Sequence, residues 1–212
     1  MQNNYRTVQG YGEAELEINK SRFIAYVNRA ETEAEAMVFI DQIKKQHREA
    51  THNCSAYLTG EHDQCQKADD DGEPGGTAGK PILEVIKKSN LKNTVIVVTR
   101  YFGGIKLGAG GLIRAYGKAA SAGVSAASII ERLLHIRITI EIDYPLLGTV
   151  ENNLRNHGYI IEAKEFTSKA AIIALVKKGE EPILIRQLQD WTAARALTRC
   201  NNEVYVDIPV EN

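Results

Sequence analysis

Apolar and polar positions alternate through "AELEINKSRFIAYVNRA", so residues 5 to 29 are predicted to form two antiparallel strands that turn at Asn19 and Lys20. The period then changes. In "EAEAMVFIDQIKKQHREA" Ala36, Phe39, Ile40 and Ile43 recur at helical spacing, Thr32 stands where an N-cap belongs, and acids precede cations along the helix dipole. A short strand in "NCSAYLTG" is expected to end at Gly60. A polar, Gly-rich loop is expected over residues 61 to 77, and then a helix in "AGKPILEVIKKSN" with Pro81 in its first turn. "TVIVVTRYF" is β-branched and apolar enough for a strand buried on both faces. From Gly110 to about Ser128 the residues are small and helix-compatible, so this helix can pack very close to a sheet.

The chain beyond Ile136 reads as a second unit. "HIRITIEIDY" alternates as a strand, "PLLGTVENNLRNHG" as a helix with Pro145 near its start and Gly158 after its end, and "YIIEAKEF" and "KAAIIALVKK" as two further strands. "EPILIRQLQDWTAARAL" then makes a helix, with Trp191 as a core filler, and "NEVYVDIPV" a final strand. That βαββαβ order is the ferredoxin-like pattern, in which two helices cover one face of an antiparallel sheet. The expected fold class is α+β, with domains at residues 1–134 and 137–212 joined by a short linker near Arg132 to Ile136.

Composition narrows the setting. The 26 Lys and Arg against 27 Asp and Glu leave a formal net charge of -1, so no bulk charge advertises a nucleic-acid or membrane partner and any electrostatic purpose is local. Cys54, Cys65 and Cys200 are odd in number and contain no CxxC pair, which argues against a disulfide framework or a zinc ribbon and favours a cytoplasmic, reducing setting. No apolar run is long enough for a membrane span, and "MQNNYRTVQG" lacks the apolar core of a signal peptide.

Charge is unevenly placed. Between Glu84 and Glu131 there is no acid, while Lys87, Lys88, Lys92, Arg100, Lys106, Arg114 and Lys118 fall in the interval; just upstream, Glu61, Asp63, Asp69, Asp70, Asp71 and Glu73 face only Lys67. The basic stretch "RYFGGIKLGAGGLIRAYGK" holds six glycines and four cations. Neither Gly-rich segment is a nucleotide motif. A phosphate loop ending at Gly79-Lys80 would need Gly at 74 and Ser or Thr at 81, where both residues are proline, and "GAGG" would need a third glycine at Ile113 to bind a dinucleotide.

A less specific anion site remains. Gly108, Gly110 and Gly111 sit where a helix begins, with bare amides and the positive end of its dipole. Arg114 and Lys118 are four apart on one helical face, Arg100 and Lys106 converge from the preceding strand and loop, and Tyr101 and Phe102 add aromatic surface with Gly103 and Gly104 beside them. Cations with aromatic platforms suit single-stranded nucleic acid. The alternative is that the glycines serve turns and tight packing and the cations are ordinary solvated residues.

The acidic loop offers Asp69, Asp70, Asp71 and Glu73 as oxygen ligands, at a spacing that is not that of an EF-hand, and no metal or cofactor is expected. His47, His52 and Cys54, with Thr51 and Ser55 nearby, contain the types of a Cys/His nucleophile pair, against a structural His and an inert buried Cys. No third orienting group is identifiable, so the catalytic set is unknown.

The strings "DDGEPGGTAGKPILEVI", "VIVVTRYFGGIKLGAGGLIRAYGKAA" and "EATHNCSAY" resemble the signature of the IMPACT family, bacterial YigZ branch, over most of residues 1 to 130. The motif positions are Asp70, Asp71, Gly72, Glu73, Pro74, Gly75, Gly76, Thr77, Ala78, Gly79, Lys80 and Pro81, then Arg100, Tyr101, Phe102, Gly103, Gly104, Leu107, Gly108 and Gly111. The resemblance implies an N-terminal domain like the second domain of ribosomal protein S5 and a C-terminal one like domain V of elongation factor G. Eukaryotic relatives regulate translation through protein partners, so for this chain it implies only the translation theme, and no catalytic assignment. The expectation is a protein that binds RNA or the ribosome and modulates translation, with a possible protein partner in that control and no membrane. The competing expectation is a hydrolase or transferase acting on a phosphorylated small molecule, with the acidic loop as its metal or acid/base site.

Overall fold

The computed structural model describes residues 4–60 and 63–210, so Glu61 of the acidic block and the first three residues of "MQNNYRTVQG" lie outside the described residues. Two compact units emerge. One holds the chain up to Arg132 and takes it back at Asp207; the other runs from Leu133 to Val206. A division at residues 134 to 137 does not contain that return.

The first unit is built on an antiparallel sheet of five strands. β1 (Tyr5–Val8) stands apart from it, and the sheet proper is made by β2 (Gly12–Ile18), β3 (Ser21–Arg29), β4 (His52–Thr59), β5 (Cys65–Asp69) and β6 (Thr94–Tyr101), in the order β2-β3-β6-β4-β5. Asn19 and Lys20, both at positive φ, make the expected two-residue turn between β2 and β3. β6 is central and buried along nearly its whole length. Two expectations change here. Residues 5 to 29 form three strands rather than two, because β1 pairs with Ile129 to Arg132 and not with its neighbours in sequence. Part of the 61 to 77 loop is β5, a largely exposed edge strand held by its ladder to β4 rather than by an apolar face.

Period two along β6 decides which helix covers which face. Val95 and Val97, with Ile24, Tyr26 and Tyr57, pack under Ala36, Phe39 and Ile43 of α1 (Glu33–Gln46), whose Thr32 hydroxyl accepts the Glu35 N–H as an N-cap. Ile96 and Val98, with Phe23, Ala25, Val27, Cys54 and Ala56, face α2 (Gly79–Lys88) and α3 (Gly108–Ala127). The small residues of α3 let it settle close to the sheet: Ala119 and Ala120 are fully buried, and a Cβ at Gly123 would press on Val27 and Ala25.

β7 (Ile129–Ile142) is continuous where a linker was expected, so Arg132 to Ile136 are strand residues and His135 is buried within it. In the second unit β7 is joined by β8 (Ile160–Phe166), β9 (Ala170–Lys177) and β10 (Leu197–Pro209), in the order β10-β7-β9-β8. α4 (Leu147–Asn156), entered by a 3-10 turn at Tyr144–Leu146, and α5 (Glu181–Thr192) pack on Ile138, Ile140, Ile172 and Ala174 through Val150, Leu154, Leu184 and Leu188, with Trp191 against this core. Numbered within the unit, the strands lie 4-1-3-2, the ferredoxin-like arrangement. The chain is thus a two-domain α+β protein. Among the described residues no helix is long and apolar enough to cross a membrane.

Candidate nucleic-acid interface

The acidic loop is an internal scaffold. The Asp70 carboxylate accepts the N–H of Gly76 (2.7 Å), Ala78 (3.0 Å) and Gly79 (2.8 Å), so it caps the start of α2. Burial pushes its pKa up, and these three backbone donors more than reverse that, leaving it below the usual carboxylate value. Asp71 accepts Lys44 Nζ at 2.8 Å and the Asn53 N–H at 2.7 Å; burial opposes its ionisation, but Lys44 and Asn53 bring its pKa below normal too. Gly72 and Gly75 are exposed turn residues, the Thr77 hydroxyl donates to the Pro74 carbonyl, and Gly79 opens α2 with Lys80 exposed behind it.

Asp70→Ala is therefore expected to cost about 1–2 kcal/mol in urea unfolding, since it strips three backbone donors of their acceptor. Both carboxylates have depressed folded-state pKa values, so their contribution is present above the unfolded carboxylate pKa and is lost as pH falls through the folded values. The variant should accordingly lose less stability than the parent on acidification through that window, and equal losses would remove the cap from the account.

Glu73 lies deeper, 8% exposed, and its Oε1 accepts from Arg100 Nη1 at 2.6 Å and from the Tyr116 hydroxyl at 2.8 Å. Arg100 is itself only 5% exposed, with its guanidinium over the rings of Phe23 (5.3 Å) and Phe102 (5.4 Å). Its charge, expected to neutralise a solvent-side phosphate, is thus balanced internally by Glu73. The Cys54 sulfur lies 3.0 Å from the Asp70 carbonyl and 3.3 Å from the Tyr116 hydroxyl, either of which can accept its single S–H, and burial pushes its pKa up to about 12. Burial first, then Cys54 and Glu73, likewise raises the Tyr116 phenol. His52 holds the Asp71 carbonyl through Nδ1 at 2.7 Å, and no hydrogen bond joins it to Cys54 among the described residues. A thiol so buried and so weakly acidic is a packing residue rather than a nucleophile. Among the described residues no three His, Cys, Asp or Glu are placed to hold a metal ion.

Exposed cations are spread over the unit, at Arg6, Lys20, Lys45 and Arg48 among others, and a group of them lies on α2, on α3 and in the loop before α3. Lys80, Lys88, Lys106, Arg114 and Lys118 are all exposed, and none forms an ion pair among the described residues. A groove of about 510 Å³ runs between the helices, walled by Lys80, Glu84 and Lys88 of α2 and by Ile113, Gly117 and Ser121 of α3. At the start of α3, a cavity of about 300 Å³ is bounded by Glu73, Pro74, Arg100, Phe102, Lys106 and the first residues of the helix. No side chain caps that helix, and Gly108, Gly110 and Gly111 form its first turn. Phe102 is 46% exposed and Gly104 is exposed in the connecting loop, whereas Gly103 is held by its N–H to the Ser21 hydroxyl at 3.2 Å. Tyr101 belongs to the other face of the sheet, where its hydroxyl meets His47 Nδ1 at 2.9 Å and His47 Nε2 meets Tyr26 at 2.6 Å.

Phe102, Lys106, Gly108 and Arg100 border one cavity, Arg114 and Lys118 are exposed further along α3 and line neither space, and Tyr101 lies on the other face of the sheet. Lys88, noted in sequence only as one cation of the acid-free interval, lines the groove together with Ile113 and Gly117, which sequence did not offer as binding residues. Their signal was present in the helical spacing of 113, 117 and 121, which faces α2.

Comparison with known proteins places this arrangement. The Impact N-terminal domain matches residues 19–124, and a domain of unknown function, DUF1949, matches residues 140–195. IMPACT family member YvyE of Bacillus subtilis is 52% identical over 212 residues, covering 100% of this chain and 98% of that protein. The chain belongs to the IMPACT family. A second family member, YigZ of Escherichia coli, is 34% identical over 152 residues, which are 68% of this chain and 74% of YigZ. A solved crystal structure of an hypothetical protein superposes with a TM-score of 0.61 at 26% identity, over 95% of this chain and 99% of that one. The Impact N-terminal match contains the acidic scaffold, the buried Glu73–Arg100 pair and the whole basic face, so the surface described here lies within the domain that gives the IMPACT family its name.

Proposed function

We propose that this IMPACT family protein binds RNA, free or on a ribosomal surface, through its α2 and α3 face, and modulates translation by doing so. The observation that carries the reading is exposed Lys106 at the uncapped start of a 20-residue helix, with Arg114 and Lys118 exposed along that helix and Lys80 and Lys88 along α2, none of them in an ion pair among the described residues. Cations already paired with carboxylates gain little from a phosphate, whereas unpaired ones release condensed counterions from the nucleic acid when they bind. The helix start adds partial positive charge and free amides. Phe102 offers ring surface for a base, which is how single-stranded readers combine affinity with tolerance of sequence. Translation is the process that the family resemblance suggests for such a surface.

The enzymatic reading finds less support. Its acid/base or metal site would need Asp70, Asp71 and Glu73, and each of these carboxylates is occupied by backbone amides, Lys44 or the Arg100 and Tyr116 pair.

Fluorescence-anisotropy titration of a short single-stranded RNA across a range of salt tests the proposal. Arg114→Ala and Lys118→Ala should each weaken binding and reduce the slope of log K against log salt by about 0.7. Unchanged affinity and slope in both variants would take the α3 face out of RNA recognition.

A further inference from the structure

The groove between α2 and α3 carries chemistry that a phosphate-binding face does not need. Residues 80, 84 and 88 recur every four positions, so they share one side of α2 and set a carboxylate between two cations along the groove wall. Lys80 and Lys88 are exposed, Glu84 is half-buried, and none of the three is in an ion pair or a side-chain hydrogen bond among the described residues. On the opposite wall Ile113 is 46% exposed and Gly117 presents bare backbone. A helix-interior glycine is less stable than alanine, and Gly123 has a reason to be one, since a Cβ there would press on Val27 and Ala25. At Gly117 a Cβ would meet nothing within 4 Å, so packing does not require the glycine and its open side faces the groove.

We propose that this groove takes one unstacked base of a bound RNA and that Glu84 selects guanine. The inference rests on the RNA reading and supplies the base contact that phosphate binding alone lacks. A volume of about 510 Å³ lies within the range of small-molecule sites and admits a purine. Val85 and Ile113 offer apolar contact to a ring, and the bare backbone of Gly117 lets that ring approach α3 closely. Lys80 and Lys88 stand about 12 Å apart along the helix axis, one on each side of Glu84, where the phosphates flanking the base can reach them. A carboxylate only accepts, and it has two oxygens. Guanine presents two adjacent donors on its Watson–Crick edge, N1–H and the N2 amino group, whereas adenine, cytosine and uracil each set one donor beside an acceptor that a carboxylate repels. On a face that attracts phosphate an unpaired carboxylate weakens general binding, so what Glu84 adds is discrimination between bases.

The test titrates four short uridine-rich oligoribonucleotides that differ only at one central position, G, A, C or U, by fluorescence anisotropy. The G form should bind about tenfold tighter than the other three, the discrimination expected of one bidentate base contact. Glu84→Gln exchanges an acceptor for a donor and should move the preference from G to A, which a merely structural role would not do. Gly117→Leu adds atoms where the space is open and should bring all four to the affinity of the U form. Arg114→Ala/Lys118→Ala should weaken all four alike and keep the ratio. Equal affinity of the four in the parent overturns the base site and leaves the RNA face standing, and so does a G preference that survives both Glu84→Gln and Gly117→Leu. No binding of any of the four at low salt overturns the RNA reading and the base site with it.

Discussion

Glu73→Ala is expected to lower the free energy of unfolding by about 3–5 kcal/mol, the usual cost of breaking a buried ion pair from one side. The carboxylate is the acceptor of both Arg100 Nη1 and the Tyr116 hydroxyl, and all three groups are withdrawn from solvent. Alanine leaves a buried guanidinium uncompensated and a buried phenol without an acceptor. For a domain stable by about 5–15 kcal/mol that is a large share of the total. Removing the charge together with its partner, in Glu73→Ala/Arg100→Met, should recover a substantial part, because the burden then falls on packing alone. Urea unfolding of the two variants and the parent reads both effects. A loss below about 1 kcal/mol in the single variant, the range of exposed pairs, would show that water screens the pair.

Gly103→Ala comes next in size, at about 1–3 kcal/mol. A Cβ there would fall on the carbonyl of Lys20 and close to the Ser21 N–H, in the backbone of the β2–β3 turn, and backbone cannot swing aside as a flexible side chain can. The Gly103 N–H is also spent on the Ser21 hydroxyl. Stability should therefore fall while the RNA affinity of the folded protein stays near that of the parent. The opposite pattern, full stability with lost affinity, would place Gly103 in the interface after all.

That glycine shows where sequence reading reaches its limit. Its place in a Gly-rich, basic stretch suggested contact with an anion, but its closest constraint is a turn some eighty residues earlier in the chain. Alternation along "TVIVVTRYF" puts Arg100 on the Val98 side and Tyr101 opposite, since residues two apart share a face, and grouping the two in one surface overlooked it. It could not reveal that Glu73, on another segment, neutralises Arg100. Asp70 and Asp71 were legible as an acidic cluster and not as a helix cap and a Lys44 partner, because capping depends on where the loop returns to α2. The helices were legible from apolar spacing, and the βαββαβ order from the succession of periods. β5 was missed because "CQKAD" has no apolar alternation and holds its place by backbone pairing to β4. The strand through Arg132 to Ile136 was read as a linker because alternation begins only at His135, while "ERLL" pairs two polar with two apolar residues and holds its place in the strand by backbone pairing.

The central claim is that the α2 and α3 face is where nucleic acid sits, and ultraviolet crosslinking of the full chain to a uridine-rich RNA, followed by mapping of the crosslinked peptides, tests it most directly. Adducts on Phe102 and on peptides carrying Lys106, Arg114 or Lys118, reduced in Arg114→Ala/Lys118→Ala and at high salt, are the expected result. Adducts confined to Leu133–Val206, or none under conditions where binding is measured, would contradict it.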